Sequence, residues 1–326
     1  MKKRAKRVSQ KLETVSTTTR PAARAKKAAE SPSPSALSAP LIVGIGASAG
    51  GLEAFTQLLH ALPTNTGMAF VLVQHLEPKH ESVLTTLLAR ATTMPVHEVR
   101  EGMRVEPNHV YVIPSNADLS MLGGLLHIVR RKAPAGRHLP IDYFFRSLAE
   151  TQGARAVGVI LSGTASDGTA GIKAVKEAGG VTFAEDPESA KFDGMPRSAI
   201  ATGCVDFVLP PERIAKELAR IVRHPFLGLL PLDAIPTFPA QDEEWARLFR
   251  LLRTATGVDF SLYKKSTIKR RLARRMALNK VDRLSAYLKI LERKRTELDA
   301  LFEELLILVT EFFRDPDAFL ALPRTK

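Results

Sequence analysis

The chain has 326 residues, 45% of them hydrophobic, enough for two domains that each bury a core and ordinary enough to exclude collagenous, disulfide-rich and low-complexity classes. Its one cysteine, Cys204, excludes an internal disulfide or a cysteine-built metal site and fits a reducing compartment. The net charge of +13 gathers at one end, since residues 1–40 hold ten Lys or Arg against Glu13 and Glu30 and leave only +5 elsewhere; no apolar run has the length of a membrane span. A soluble cytoplasmic chain without membrane insertion or a secretory signal is expected.

Residues 1–39 are rich in Lys, Arg, Ser, Thr, Ala and Pro and almost lack large apolar side chains, so a disordered basic tail is expected, solvated rather than bound to nucleic acid. From Leu41 the pattern changes. "LIVGIG", "AFVLVQ" from Ala69, "VYVI" from Val110, "VGVILS" from Val157, "VTFA" from Val181 and "VDFVL" from Val205 read as buried strands. Between them lie amphipathic stretches such as "GLEAFTQLLHAL" from Gly51 and "GIKAVKEAG" from Gly171, the latter stopped by Gly179. Alternating strands and helices predict an α/β fold, a doubly wound and mainly parallel sheet, whose ligands gather beyond the carboxyl ends of the strands. Prolines 225, 231, 236 and 239 mark 224–240 as a linker, and 241–326 reads as a small all-α domain. There, "EEWARLFRLLRTATG" ends on Gly257, "STIKRRLARRMALNK" starts with Ser266 as a capping candidate, and the segment from Arg283 is helical with one break. No fixed-period repeat is present.

Two chemistries fit "IVGIGASAGG", Ile42 to Gly51. Gly44-x-Gly46-x-x-Ala49 meets a loose dinucleotide fingerprint, and Gly46-x-Ser48-x-Gly50 meets the nucleophile-elbow pattern. A dinucleotide site wants an acid at the end of the second strand, but that strand ends in Gln74 and His75. A serine nucleophile wants an imidazole and a carboxylate, and the ends of three strands offer Ser48, His75 and Asp167. The order Ser, His, Asp departs from that of α/β-hydrolases, which would need a histidine after Asp167; the only one, His224, lies at the linker. A pair of His75 and His80 lacks a third metal ligand, so His80 reads as a surface residue, and no metal is expected. His127, His138 and Asp142 read as structural, while Met195 and Pro196 either line the pocket or start a helix.

The blocks "GIGASAGG", "VQHLEP", "VYVIPSNADL", "LPIDYFFRSLA", "LSGTASDGTAG" and "DGMPRSAIATGCVDFVLP" together resemble the catalytic domain of CheB-type protein-glutamate methylesterases of bacterial chemotaxis, over residues 40–223. The resemblance implies hydrolysis of glutamate γ-methyl esters on chemoreceptors, with glutamine deamidation as a side activity and no cofactor. It carries the nucleophile, base and orienting carboxylate onto Ser48, His75 and Asp167, with backbone N–H groups of the two glycine-rich turns as the oxyanion hole. The chain departs from the family's common pattern at Ala49, usually Thr, and at Thr164, usually Met. The family's phosphorylated receiver domain has no counterpart, so its restraint on activity is expected to be missing.

Residues 264–283 hold nine Lys or Arg against Asp282, and Ile268, Leu272 and Met276 recur at four-residue steps. A solvated basic face is expected, available to an acidic protein and, without interleaved aromatics, not to a specific nucleic acid. Residues 241–326, with "VTEFFRDPDAF", resemble the N-terminal helical domain of CheR-type receptor methyltransferases. Thr310 and Arg314 match the segment that opens that family's S-adenosylmethionine site, Leu308 replaces its usual Asn, and the chain stops at Lys326, before a methyltransferase core would begin. The expectation is a CheB–CheR fusion with the methyltransferase core absent, partnered by a methyl-accepting chemoreceptor or a similar coiled-coil signalling protein. Its rivals are a catalytically silent adaptor that docks receptors through Arg270, Arg271, Arg274 and Arg275, and a dinucleotide-binding oxidoreductase.

Overall fold

Seven strands of three to seven residues build one parallel sheet, and its five inner strands are apolar runs whose two faces are both covered. The computed structural model describes residues 40–74, 84–130, 138–224 and 240–306. The basic tail, His75, His80, the proline-rich linker apart from His224 and Ala240, and the Thr310–Arg314 segment lie outside these. In chain order the elements are β1 (Leu41–Ala47), α1 (Gly51–Ala61), β2 (Met68–Gln74), α2 (Leu84–Leu88), β3 (Val96–Glu98), β4 (Met103–Arg104), β5 (Val110–Val112), β6 (Ala117–Leu122), β7 (Leu125–Arg130) and α3 (Pro140–Gln152). They continue with β8 (Val157–Ile160), α4 (Thr169–Glu177), β9 (Val181–Glu185), α5 (Gly194–Ala201), β10 (Phe207–Leu209), α6 (Pro211–Val222), α7 (Asp242–Thr256), α8 (Lys265–Leu278), α9 (Leu284–Arg293) and α10 (Arg295–Leu306).

The large sheet runs β10-β9-β8-β1-β2-β5-β3, with every neighbouring pair parallel. The chain leaves β1 toward β2 and returns on its other side to β8, so the order reverses between β1 and β8. In such sheets this switch point opens a crevice. Residues of β1 alternate between two cores. Leu41, Val43 and Ile45 face Phe55, Leu58, Ile214 and Leu218 of α1 and α6. The opposite face, reached by Ile42, meets Phe144, Phe145 and Ile172 of α3 and α4.

On that second face Gly44 and Gly46 are packing glycines. A Cβ on Gly44 would lie 2.9 Å from Phe145 Cε1, and one on Gly46 would lie 2.4 Å from Ile141 Cγ2. The space that a phosphate-cradling fingerprint would leave open is therefore filled by α3. A second, antiparallel sheet, β4-β7-β6, was not among the expected elements; its β6–β7 hairpin turns on Gly123 and Gly124, at φ 59° and 79°.

Helices α7 to α10 enclose their own core of Leu248, Leu252, Phe260, Leu272, Met276, Tyr287, Leu288 and Leu301. Gln241 and Glu244 form a reciprocal capping box at the start of α7, and Gly257 ends it at φ 77°. The expected break between α9 and α10 falls at Lys294. Ser266 is not a cap: α8 begins at Lys265, and the carbonyl of Lys264 accepts the first helical N–H groups, from Thr267 and Ile268.

The solvated basic face expected for α8 requires correction. Arg271 and Arg274 are buried. Arg274 donates to the Gly180 carbonyl at 2.9 Å and to Glu304 Oε2 at 2.7 Å, and it pairs with Asp206. Arg271 donates to the Glu177 carbonyl at 3.3 Å, while Arg275 pairs with Glu297. These cations are spent inside the chain, because acids distant in sequence, Asp206, Glu297 and Glu304, fold back against them. Gly180 and Asp206 precede β9 and β10, so α8 docks at the amino-terminal ends of those strands.

Candidate active site

The backbone turns sharply where β1 ends. Ser48 follows Ala47, Gly51 N–H closes back on the Ser48 carbonyl at 2.9 Å, and Gly50 adopts φ 76° before α1 begins. Glycine is required at 50 twice over, by that left-handed backbone and because a Cβ would lie 2.6 Å from Ser162 Oγ. Ser48 is left half-buried in an open cleft of about 550 Å³ shared with Leu52, Thr56, Gln57, Gln74 and Lys191.

Neighbouring strands tie the turn down. The Ser48 N–H donates to the Ser162 carbonyl at 3.0 Å, and the Gln74 side-chain amide donates to the Ser48 carbonyl at 3.2 Å. The Ser162 hydroxyl donates to the Ala49 carbonyl at 3.0 Å and accepts from Phe192 N–H at 3.0 Å. Ser162 N–H in turn donates to Glu185 Oε2 at 2.8 Å. Glu185 closes β9 and is buried; burial pushes its carboxyl up, against the lowering effect of the Ser162 N–H and the Ser189 hydroxyl.

Asp167 lies in the glycine-rich turn after β8, across the switch point from Ser48. Its carboxylate is buried and accepts three backbone N–H groups, Ile141 at 3.0 Å, Asp142 at 3.0 Å and Gly168 at 2.8 Å. Ile141 and Asp142 open α3, so the anion sits on the positive end of that helix. Asp142 itself ties α3 to α4 by accepting Gly171 N–H at 2.7 Å, and burial pushes its carboxyl up, reinforced by the charge of Asp167.

Two of the three sequence-derived site residues thus follow the carboxyl ends of the adjacent strands β1 and β8. The third, His75, follows Gln74 at the end of β2 and lies outside the described residues. Met195 is wholly buried beneath the site: a Cβ on Gly163 would lie 2.1 Å from its sulfur and 3.1 Å from Ser48 Cβ. Pro196 stands in the first turn of α5, which starts at Gly194. His127 faces Glu101 at 2.8 Å and His138 faces Asp118 at 3.3 Å. Sequence reasoning missed Ser162 and Glu185, although each ends an apolar strand run, that of β8 beside β1 and that of β9 beyond it. Among the described residues, no three His, Cys, Asp or Glu side chains gather as a metal site, and no helix is long and apolar enough to cross a membrane.

Comparison with known proteins agrees with this architecture. The structure resembles the crystal structure of the Thermotoga maritima CheB methylesterase catalytic domain, with a TM-score of 0.51 and 32% identity, covering 55% of this chain and 96% of that one. A 104.1 kDa protein encoded 3′ of hypE in Rhodobacter capsulatus is 43% identical over 261 residues, covering 73% of this chain and 27% of that protein. The protein-glutamate methylesterase/protein-glutamine glutaminase of Photorhabdus laumondii is 37% identical over 186 residues, 56% of this chain and 53% of its own length. The chain therefore spans between about a quarter and about half the length of these relatives. Residues 243–306 match the all-alpha domain of CheR methyltransferases, which makes the arrangement that of a CheB–CheR-like fusion. With the CheB methylesterase model matching residues 43–218, more than half of its length, the chain belongs to the CheB methylesterase family.

Proposed function

We propose that residues 40–223 hydrolyse glutamate γ-methyl esters on methyl-accepting chemoreceptors or similar coiled-coil signalling proteins in the cytoplasm, and deamidate certain glutamines of the same substrates. In this reading Ser48 is the nucleophile, His75 the base and Asp167 the carboxylate that orients the imidazole. The observation that carries it is a half-exposed serine in the tight turn after β1 and, after the adjacent strand β8, a buried carboxylate held by three N–H donors.

Ser48 Oγ attacks the ester carbonyl carbon while His75 takes the hydroxyl proton. The tetrahedral intermediate expels the methoxy group, which leaves as methanol with the proton from His75. Water then gives a proton to His75 and attacks the acyl-enzyme, and the proton returns to Ser48 as glutamate leaves. Asp167 holds the imidazole tautomer and balances its charge. The N–H groups of Ser48 and Gly163 are committed to Ser162 and Phe192 carbonyls, so the oxyanion role falls to Ala49 and Thr164, the next N–H in each turn.

We further infer that 224–240 is a connection and that 241–326 is the front of a CheR-type methyltransferase. Docking of receptors through Arg271, Arg274 and Arg275 is disfavoured by their internal pairing. The dinucleotide reading is disfavoured by Ile141 and Phe145 against Gly46 and Gly44.

Methanol release from a methylated receptor fragment tests the proposal. Ser48→Ala and His75→Ala are each expected to lower turnover by roughly 10⁴- to 10⁶-fold. A fluorophosphonate is expected to label Ser48 in the native chain and to fail in His75→Ala. Equal methanol release by native chain and Ser48→Ala overturns it.

A further inference from the structure

Glu185 is placed at a cost. A carboxylate 1% exposed at a strand end loses its hydration, and two further acids, Glu212 and Glu53, act on it unfavourably. What it holds is the N–H of Ser162, and Ser162 is the residue on which three separate loops meet. Its carbonyl takes the N–H of Ser48, and its hydroxyl bridges Ala49 to Phe192. Gly163, next in the chain, binds the Phe192 carbonyl and is bound by the N–H of Met195, both at 2.9 Å. A displacement of Ser162 therefore moves the nucleophile, the residue after it and the second glycine-rich turn together.

We propose that Glu185 and Ser162 form a positioning pair for the esterase reaction, Glu185 clamping the Ser162 backbone so that Ser162 holds the Ser48–Ala49 turn in its reactive geometry. The inference rests on the esterase reading above. Neither residue touches substrate. Because the Ser48 N–H and carbonyl are both fixed by neighbours, the positions its hydroxyl can reach are set by where Ser162 and Gln74 hold the backbone. The carboxyl oxygen accepts the Ser162 N–H at 2.8 Å and fixes that backbone. A looser clamp enlarges the spread of turn positions, and misplacement by about 1 Å costs about 100-fold in rate.

The test measures kcat and KM for methanol release from a methylated receptor fragment, together with the rate at which a fluorophosphonate labels Ser48. Glu185→Leu removes the acceptor and is expected to lower kcat and labelling rate by about 10- to 100-fold with KM within about twofold. Glu185→Gln keeps a neutral acceptor oxygen and is expected to recover activity to within about threefold of the native chain. Ser162→Ala keeps the clamped backbone but removes the Ala49–Phe192 bridge; about a tenfold loss in kcat is expected. It also serves where Glu185→Leu does not fold. Native kcat in Glu185→Leu, a loss confined to KM, or native kcat in Ser162→Ala overturns the pair. Such results beside an inactive Ser48→Ala leave the esterase reading standing, whereas turnover by Ser48→Ala equal to native overturns that reading and this inference with it.

Discussion

Gly163 shows how little room the site leaves. Its absent Cβ would stand 2.1 Å from Met195 Sδ, and Met195 has no solvent into which to retreat. Gly163→Ala is expected to cost about 1–3 kcal/mol in a urea titration and to lower kcat, because the displaced sulfur presses on the turn that carries Ser48. Adding Met195→Ala is expected to recover part of the stability, which a clash elsewhere would not allow. Glu185 gives a pH signature of its own. Burial raises its carboxyl above the ordinary 4.5, so the folded chain holds that proton more tightly than the unfolded one. Its contribution to stability must then fall as pH rises from that ordinary value through the raised one. Glu185→Gln removes the titrating group and keeps an acceptor, so its stability advantage over the native chain is expected to grow with pH across that window. Urea midpoints at a series of pH values read this out; an advantage that shrinks with pH would contradict it.

Among the elements, α3 does the most for the site, and only part of it could be read in advance. Pro140 at the first turn and Phe144, Phe145 and Leu148 on one face are helix signals in "LPIDYFFRSLA". That its first N–H groups would hold Asp167 was not legible, because this depends on where α3 lands against β1, and Gly44 and Gly46 settle that by letting the rings approach. The β6–β7 hairpin was legible and missed, since Gly123 and Gly124 between apolar residues are a two-residue turn signal. For α8 the charge count misled. A run of arginines says nothing about acids 30 and 68 residues away, and Arg274 meets Glu304 and Asp206 at those separations. Burial alone would raise the Asp206 carboxyl, but Arg274 and Lys176 outweigh it and hold it below the ordinary 3.8. The stabilisation it brings is therefore complete above that value and lost as pH falls below it. Asp206→Asn is expected to flatten this acid loss while lowering stability at neutral pH, as measured by urea midpoints from acid to neutral.

Across the whole molecule the parallel sheet was readable because its inner strands are buried on both faces and appear as unbroken apolar runs, and all six expected strands fall within it. The positions of Ser48 and Asp167 after β1 and β8 were readable for a related reason: each follows an apolar run that forms a strand of this sheet. The joining of the two cores was not readable, since it includes a guanidinium, that of Arg274, which reaches the Gly180 carbonyl, Asp206 and Glu304 at once, beside Arg271 on the Glu177 carbonyl and Arg220 on that of Ala277. This dock uses the amino-terminal ends of β9 and β10, whereas Ser48 and Asp167 stand at the carboxyl ends of β1 and β8, so α8 joins the sheet at the end away from the cleft. The α/β core and the helical core are thus coupled through buried charge as well as through the chain itself. Removing Asp206 is costly: Asp206→Ala takes one of two carboxylates from the buried Arg274 and the carboxylate partner from Lys176, at a cost of about 3–5 kcal/mol. The native chain is expected to melt in one calorimetric transition, and Asp206→Ala in two, with the helical core opening first. Two resolved transitions in the native chain would show that the cores unfold independently despite the shared arginine.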